Sequence, residues 1–197
     1  GACNYINKRR YGREKELEKG RGKMKRKFTA FVIIIVCFLL ETTVFRYLTI
    51  ASVTPNLLIV VTSSFGFMRG KKEGMFVGFL SGLITDIFFG IGNMIGFYAL
   101  IYTMIGYFNG LFRKRYYDED IKLPLILIAG SELLYGVLIY ATMFMMRNRF
   151  DFIYYLKHII MPELMYTLLI TLVLYQIILH INRRLTEKEK RSASKFV

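Results

Sequence analysis

Four carboxyl side chains lie inside apolar stretches of the sequence, where a charged group is costly unless it contacts protein or water. They are Glu41, Asp86, Glu132 and Glu163. A carboxylate at the centre of a bilayer costs at least ~2.5 kcal/mol, so residues of this kind face the interior of a helix bundle or an aqueous cavity. One interpretation is therefore a proton or ion relay, or a polar substrate site.

A second interpretation is structural. The carboxyl groups would bond to neighbouring hydroxyls and to each other and hold helices together, or face the transmembrane helix of a partner. For Glu132 and Glu163 we favour packing or partner contact over transport. We expect Glu41, five residues before Arg46, to be solvated near the outer interface. Lys157 and His158 are further polar residues in the apolar stretches, in the outer half of the last one.

The sequence contains no pattern typical of a catalytic or metal site. It has neither the Gly-rich sequence that holds phosphate groups nor a His-Glu-x-x-His sequence. His158 and His180 fall at opposite ends of one predicted helix, and Cys3 and Cys37 suit neither a disulfide framework nor a metal site. We therefore expect no enzyme activity, no catalytic residue, no metal and no cofactor.

A glycine recurs at every fourth position from Gly66 to Gly90, except where Asp86 replaces it. Small residues four apart line one ridge of a helix and let another backbone approach. We expect Gly66 and Gly70 to serve the preceding segment and a turn. The predicted ridge for packing or partner contact consists of Gly74, Gly78, Gly82, Asp86 and Gly90. Gly90 is expected to end the helix. We expect Asp86 to be functionally required, as a packing or partner residue rather than a catalytic one.

Composition places the chain among membrane proteins. The sequence is 54% hydrophobic, and its mean hydropathy is +0.39. The net charge of +14 would suggest nucleic acid on a soluble surface, but the basic residues cluster between the apolar stretches. We therefore expect the partners to be the bilayer and other proteins, with no nucleic acid.

The apolar stretches predict an all-α integral membrane protein with a six-helix transmembrane bundle. The predicted spans are about 28–48, 55–68, 74–91, 93–112, 121–146 and 152–181. The second is short, and Pro162 should kink or tilt the last. Lys and Arg concentrate before the first span and after the second, fourth and sixth spans. Because cytoplasmic loops carry the excess of basic residues, both termini are predicted to lie in the cytoplasm.

Residues 1–23 are predicted to be a disordered basic tail, and residues 185–197 a charged cytoplasmic tail, flanking the membrane domain 24–184. Because Met24 opens a basic segment before the first apolar stretch, we expect it to be the natural start, with 1–23 a gene-model extension. The alternative is a genuine cytoplasmic tail that touches anionic lipid.

The order of motifs resembles the bacterial rod shape-determining MreD family over about Met24 to Arg184. The resemblance rests on Pro55-Asn56-Leu57, on Gly70 and Gly74, on the block Gly78-Phe79-x-x-Gly82-Leu83-x-x-Asp86-x-x-x-Gly90, and on Gly96. It implies a non-enzymatic scaffold or regulatory subunit of the cell-elongation (rod) complex in the bacterial inner membrane, acting in cell shape and lateral peptidoglycan synthesis. It implies association with MreC, and through a wider complex with MreB, RodA and a class B penicillin-binding transpeptidase.

The same resemblance supplies the alternative function. The MreD family is similar in its six-helix architecture to the substrate-binding S components of energy-coupling-factor vitamin transporters. The alternative is therefore a small-molecule-binding S component, although no residue of this chain matches a vitamin-contact motif.

Overall fold

The described residues form six helices and no strand. The computed structural model describes residues 20, 22, 24–47, 54–90, 96–115, 121–143 and 152–194. The predicted N-terminal tail, residues 1–23, therefore lies outside the described residues except for positions 20 and 22. The predicted all-α fold class is confirmed.

The helices follow the chain in the order of the apolar stretches. Helix α1 covers residues 24–47 and contains a wide π-helical turn at Leu40–Val44. Helices α2, α3 and α4 are Leu57–Arg69, Lys71–Phe89 and Phe97–Leu111, and a 3₁₀ turn Phe112–Arg115 follows α4. Helix α5 is Lys122–Met143. Helix α6 covers residues 152–194, beyond the predicted end of the last span.

Three of these helices are long and apolar enough to cross a membrane. They comprise Met24–Val44, Lys122–Thr142 and Phe152–Glu187, while α2 is a shorter apolar helix. Their length and composition mark the chain as a membrane protein.

Within the described helices, two π turns occur where side chains or missing donors disturb the helical hydrogen bonds. In α1 the hydroxyl of Thr42 donates to the carbonyl of Phe38 at 2.9 Å, and that of Thr43 donates to the carbonyl of Leu39. Such back-bonding competes with the helix ladder and bends helices. In α6 the π turn Leu156–Ile160 lies directly before Met161 and Pro162, and proline has no N–H to donate.

Helix α2 lies at the centre of the bundle. Every residue from Leu57 to Phe67 is buried, and the helix contacts α3, α4, α5 and α6. A short helix with no lipid-facing side can begin inside the bundle, provided that its first N–H groups find acceptors within the protein. Those acceptors come from the polar side chains described next.

Candidate functional site

The glycine ridge of α3 packs against the backbone of α4. A Cβ atom added to Gly74, Gly78 or Gly82 would lie under 3.0 Å from backbone atoms of α4, respectively at Gly106, Tyr102 and Ala99. No side chain fits at such a separation, so glycine is required by close approach. The ridge of α3 is thus occupied by this chain's own helix.

The first glycine of the ladder belongs to the same contact. A Cβ on Gly74 would lie 2.7 Å from the Cα of Gly66, and one on Gly66 would lie 3.0 Å from the carbonyl oxygen of Gly106. Gly66 lies inside α2, within the predicted second span, and the structure adds that three helices meet there. Sequence reasoning missed Gly106 and Gly110, although they repeat the same four-residue spacing on α4.

Asp86 lies at the end of α3 and caps the N-terminus of α4. Its Oδ1 accepts the N–H of Tyr98 at 3.0 Å and its Oδ2 accepts that of Ala99 at 2.9 Å. The residue is 3% exposed. A carboxylate in this position satisfies two N–H groups of the first turn and interacts favourably with the helix dipole.

Glu41 caps α2 in the corresponding way. Its Oε2 accepts the N–H groups of Leu57 at 3.1 Å and Leu58 at 3.4 Å. The carboxylate predicted to be solvated is half-buried, and it bonds to the first N–H groups of the next helix. In both helical pairs, α1–α2 and α3–α4, an acid on the first helix holds the beginning of the second.

Asn56 completes the start of α2. Its Oδ1 accepts both the N–H of Ile59 at 3.2 Å and the hydroxyl of Tyr102 at 3.0 Å, and its own N–H donates to Oγ1 of Thr167 at 3.1 Å. One residue at the N-terminus of α2, through its side chain and its backbone N–H, thus ties together α2, α4 and α6.

Glu132 of α5 and Glu163 of α6 meet inside the bundle. Their carboxyl groups lie close enough to interact with each other, and both interact electrostatically with Glu41. Glu132 is 2% exposed, and neither of its carboxyl oxygens has a donor partner among the described residues. Two carboxyl groups share a hydrogen bond only when one of them carries a proton.

Three tyrosines lie close enough to these acids to interact with them electrostatically. The ring of Tyr135 lies 5.7 Å from that of Tyr102 and 6.3 Å from that of Tyr98, centroid to centroid. We call this set the carboxyl–tyrosine cluster, and it consists of Glu41, Glu132, Glu163, Tyr98, Tyr102 and Tyr135. It joins α1, α4, α5 and α6, and it can hold or pass a proton.

Lys157 and His158 lie away from this interior. Both are exposed on the π turn of α6. The His158 ring stacks on Tyr154 at 4.2 Å between centroids, and its Nδ1 lies 3.1 Å from the Tyr154 carbonyl oxygen.

The remaining motif residues lie mostly where helices begin or end. Pro55 is buried directly before α2, and Leu57 is the first residue of that helix. Gly70 and Gly96 precede α3 and α4 with φ of 101° and 107°, a conformation that favours glycine, and Gly90 follows α3. Leu83 is half-buried and Phe79 is exposed on α3.

A groove of about 170 Å³ separates α4 from α5 and is mostly apolar. Its polar members are Asn109, which donates to Oγ of Ser131 at 2.7 Å, and Ser131 itself. Within the part of the chain that the structure describes, no group of three or more His, Cys, Asp or Glu is arranged to hold a metal ion.

Comparison with known proteins gives one match. The family model of the rod shape-determining protein MreD matches residues 24–185, which are most of the chain. Neither the curated proteins nor the solved structures contain a match. The motif residues lie at helix ends and in the contact between α3 and α4. Because the family model covers most of the sequence, the chain belongs to the MreD family of rod shape-determining proteins.

Proposed function

We propose that this chain is a non-enzymatic scaffold or regulatory subunit of the rod complex in the bacterial inner membrane. Membership of the MreD family assigns it a role in rod shape determination. The proposal adds that it crosses the membrane six times and acts by binding other membrane proteins. MreC is the first partner, with MreB, RodA and a class B penicillin-binding transpeptidase in the wider complex for lateral peptidoglycan synthesis.

The proposal rests on the finding that the conspicuous small and polar residues of α3 contact this chain's own helix α4. The glycine ridge and Asp86 are engaged by α4, so they support the fold from within. Among the described residues, apolar faces of the long helices remain exposed and could meet a partner in the bilayer. On α1 this face includes Phe31, Val32, Val36 and Leu39, and on α6 it includes Met165, Leu169, Val173 and Ile177.

The faces of α1 and α6 are suited to helix association in lipid. Val36 is 49% exposed and Val173 is 66% exposed, although both lie on helices long enough to span the membrane. Association in a bilayer depends on side-chain packing between such faces. We therefore place partner binding on α1 or α6 rather than on the glycine ridge.

Site-specific photo-crosslinking tests this placement. A photoreactive amino acid is introduced singly at Val36, at Val173 and, as a control, at Leu100, which is 60% exposed on α4. We expect a crosslink to MreC from Val36 or Val173 and none from Leu100 in cells that remain rod-shaped. Equal crosslinking from all three positions, or crosslinking from Leu100 alone, would contradict the placement.

The carboxyl–tyrosine cluster favours the second candidate, a small-molecule-binding S component. Convergent polar groups in a bundle interior are typical of a ligand site. Against it, the side chains fill the space themselves, with Tyr102 1% and Glu132 2% exposed. Native mass spectrometry of the purified protein distinguishes the two functions. A small molecule that stays bound to the natural protein and is lost from Glu132→Gln would favour the S component.

A further inference from the structure

Helix α3 begins without a side-chain cap, at the basic end of the bundle. Its N-cap residue is Gly70, which has no side chain with which to cap the first N–H groups. The helix is 19 residues long. Its first N–H groups and its dipole therefore present partial positive charge at Gly70. A helix N-terminus alone does not make a binding site, and the neighbouring side chains are what give this one significance.

The guanidinium group of Arg69 is buried beside this N-terminus with most of its donors unused. The Arg69 side chain is 6% exposed and packs over the Phe65 ring at 5.9 Å. Its Nη1 lies 3.5 Å from Oε2 of Glu73, in the first turn of α3. Its Nε and Nη2 are buried and have no acceptor among the described residues. Leaving donors of a buried cation unpaired is costly, so this arrangement calls for an anion.

Two more arginines increase the positive charge. Arg26 lies 3.6 Å from Oε1 of Glu73, the same carboxylate that pairs with Arg69. A Cβ on Gly70 would lie 2.9 Å from Cδ and 3.3 Å from Nη1 of Arg113, so the Arg113 side chain lies against the residue that precedes α3. Arg26 and Arg113 both repel Arg69 electrostatically. Two guanidinium groups thus share one carboxylate, and a third lies against Gly70.

We propose that Arg69, Arg26, Arg113 and the N-terminus of α3 form a binding site for a phosphate group. Guanidinium groups and helix N-termini are the donors that phosphate oxygens prefer. The phosphate belongs either to the headgroup of an anionic phospholipid or to free phosphate in solution. Phe28 and Phe76 follow Arg26 and Glu73 by two and three residues and are exposed apolar side chains, which is compatible with lipid as the source. Lys27 lies 5.0 Å above the Phe76 ring.

The full chain in lipid nanodiscs provides the test, with the thermal unfolding midpoint as the readout. One set of discs contains phosphatidylcholine alone, and a second contains phosphatidylcholine with phosphatidylglycerol. A third set, without phosphatidylglycerol, receives inorganic phosphate and is compared with sodium chloride at equal ionic strength. We expect the midpoint to rise in the second set. A rise in the third set as well identifies the phosphate group as sufficient, whereas a rise in the second set alone identifies the lipid as the source.

Two variants and a matched control tie the effect to this site. Arg69→Met removes the buried charge and keeps a long side chain. Arg113→Gln removes the charge of an exposed arginine of the site, so folding should not be affected. Lys72→Gln removes one charge from an exposed residue in the same first turn of α3. We expect Arg69→Met and Arg113→Gln to need about tenfold or more phosphatidylglycerol for the same rise in the unfolding midpoint. Lys72→Gln should respond as the natural protein does.

The proposal fails if phosphatidylglycerol and inorganic phosphate both leave the midpoint unchanged. It also fails if Lys72→Gln loses the response as fully as Arg113→Gln, since the effect would then be one of overall charge. If Arg69→Met does not fold, Arg113→Gln decides the question alone. The result is independent of partner binding, because purified chain without MreC is used throughout.

Discussion

The Oδ2 atom of Asp86 accepts the N–H of Ala99 at 2.9 Å, across the turn between α3 and α4. The other carboxylate oxygen accepts the N–H of Tyr98. An acid on one helix thus supplies the missing cap of the next helix within the same chain. This relationship explains how an aspartate can be buried among glycines and apolar side chains, and it makes Asp86 a residue on which the fold depends.

Replacing Asp86 by leucine is expected to reduce the amount of folded protein, in addition to any effect on partners. The change leaves two buried N–H groups unpaired, at a cost of about 2 kcal/mol or more. Asp86→Asn keeps one acceptor oxygen, so its unfolding midpoint and protein level should lie between those of the natural protein and of Asp86→Leu. The measurement is the unfolding midpoint in detergent together with the protein level in the membrane. If Asp86→Leu kept both values and lost only MreC binding, Asp86 would be a partner residue instead.

The contact between α3 and α4 predicts a sharp difference between two glycines. Gly78→Ala places a Cβ against the carbonyl of Tyr102 and should destabilise the protein by about 1–3 kcal/mol or more. Gly130→Ala is the matched control, because nothing lies within 4 Å of the added Cβ on α5. It should be neutral or stabilise by about 0.5–1 kcal/mol through better helix propensity. Thermal unfolding of the two variants side by side checks both expectations, and equal midpoints would contradict them.

The sequence predicts the helices and the existence of a close contact, because apolar length and four-residue glycine spacing are local properties. It does not predict what Asp86 binds. The donors of Tyr98 and Ala99 are free only because α4 begins at Phe97, after Gly96 with its positive φ. The predicted fourth span begins at residue 93, and a helix beginning there would place those N–H groups inside its hydrogen-bonded ladder.

The interior acids show a similar limit. The sequence places Glu132 and Glu163 at comparable depth, but which sides of α5 and α6 face each other depends on rotation about the helix axes. No local pattern sets that rotation, since both helices are apolar on most sides. The sequence does not predict the cap formed by Glu41 for a related reason. The N–H groups that it accepts belong to the start of α2, 16 and 17 residues further along the chain, and no local pattern links them to Glu41.

Glutamine and leucine at position 132 should have different effects. Glu132→Gln has an amide that can donate to the Glu163 carboxyl group, so it should change the free energy of unfolding by less than about 1 kcal/mol. Glu132→Leu removes the partner of a buried acid and should cost about 1–3 kcal/mol. Unfolding midpoints give the comparison, and Glu163→Gln added to Glu132→Leu should recover part of the loss. Equal effects of glutamine and leucine would mean that the two acids do not interact.

Asn56 and Tyr102 should behave as a coupled pair. Asn56→Ala removes the cap of Ile59 and the acceptor of the Tyr102 hydroxyl, and should cost about 1–2 kcal/mol or more. Tyr102→Phe removes one bond and leaves Asn56 its contact with Ile59, so its cost should be smaller. In a double-mutant cycle the two changes together should cost less than the sum of the single changes, by about 0.5 kcal/mol or more. The cycle is measured by unfolding in detergent, with Tyr107→Phe, an exposed tyrosine on α4, as the control. Strict additivity would show that the bond between Tyr102 and Asn56 contributes nothing to holding α4 against the start of α2.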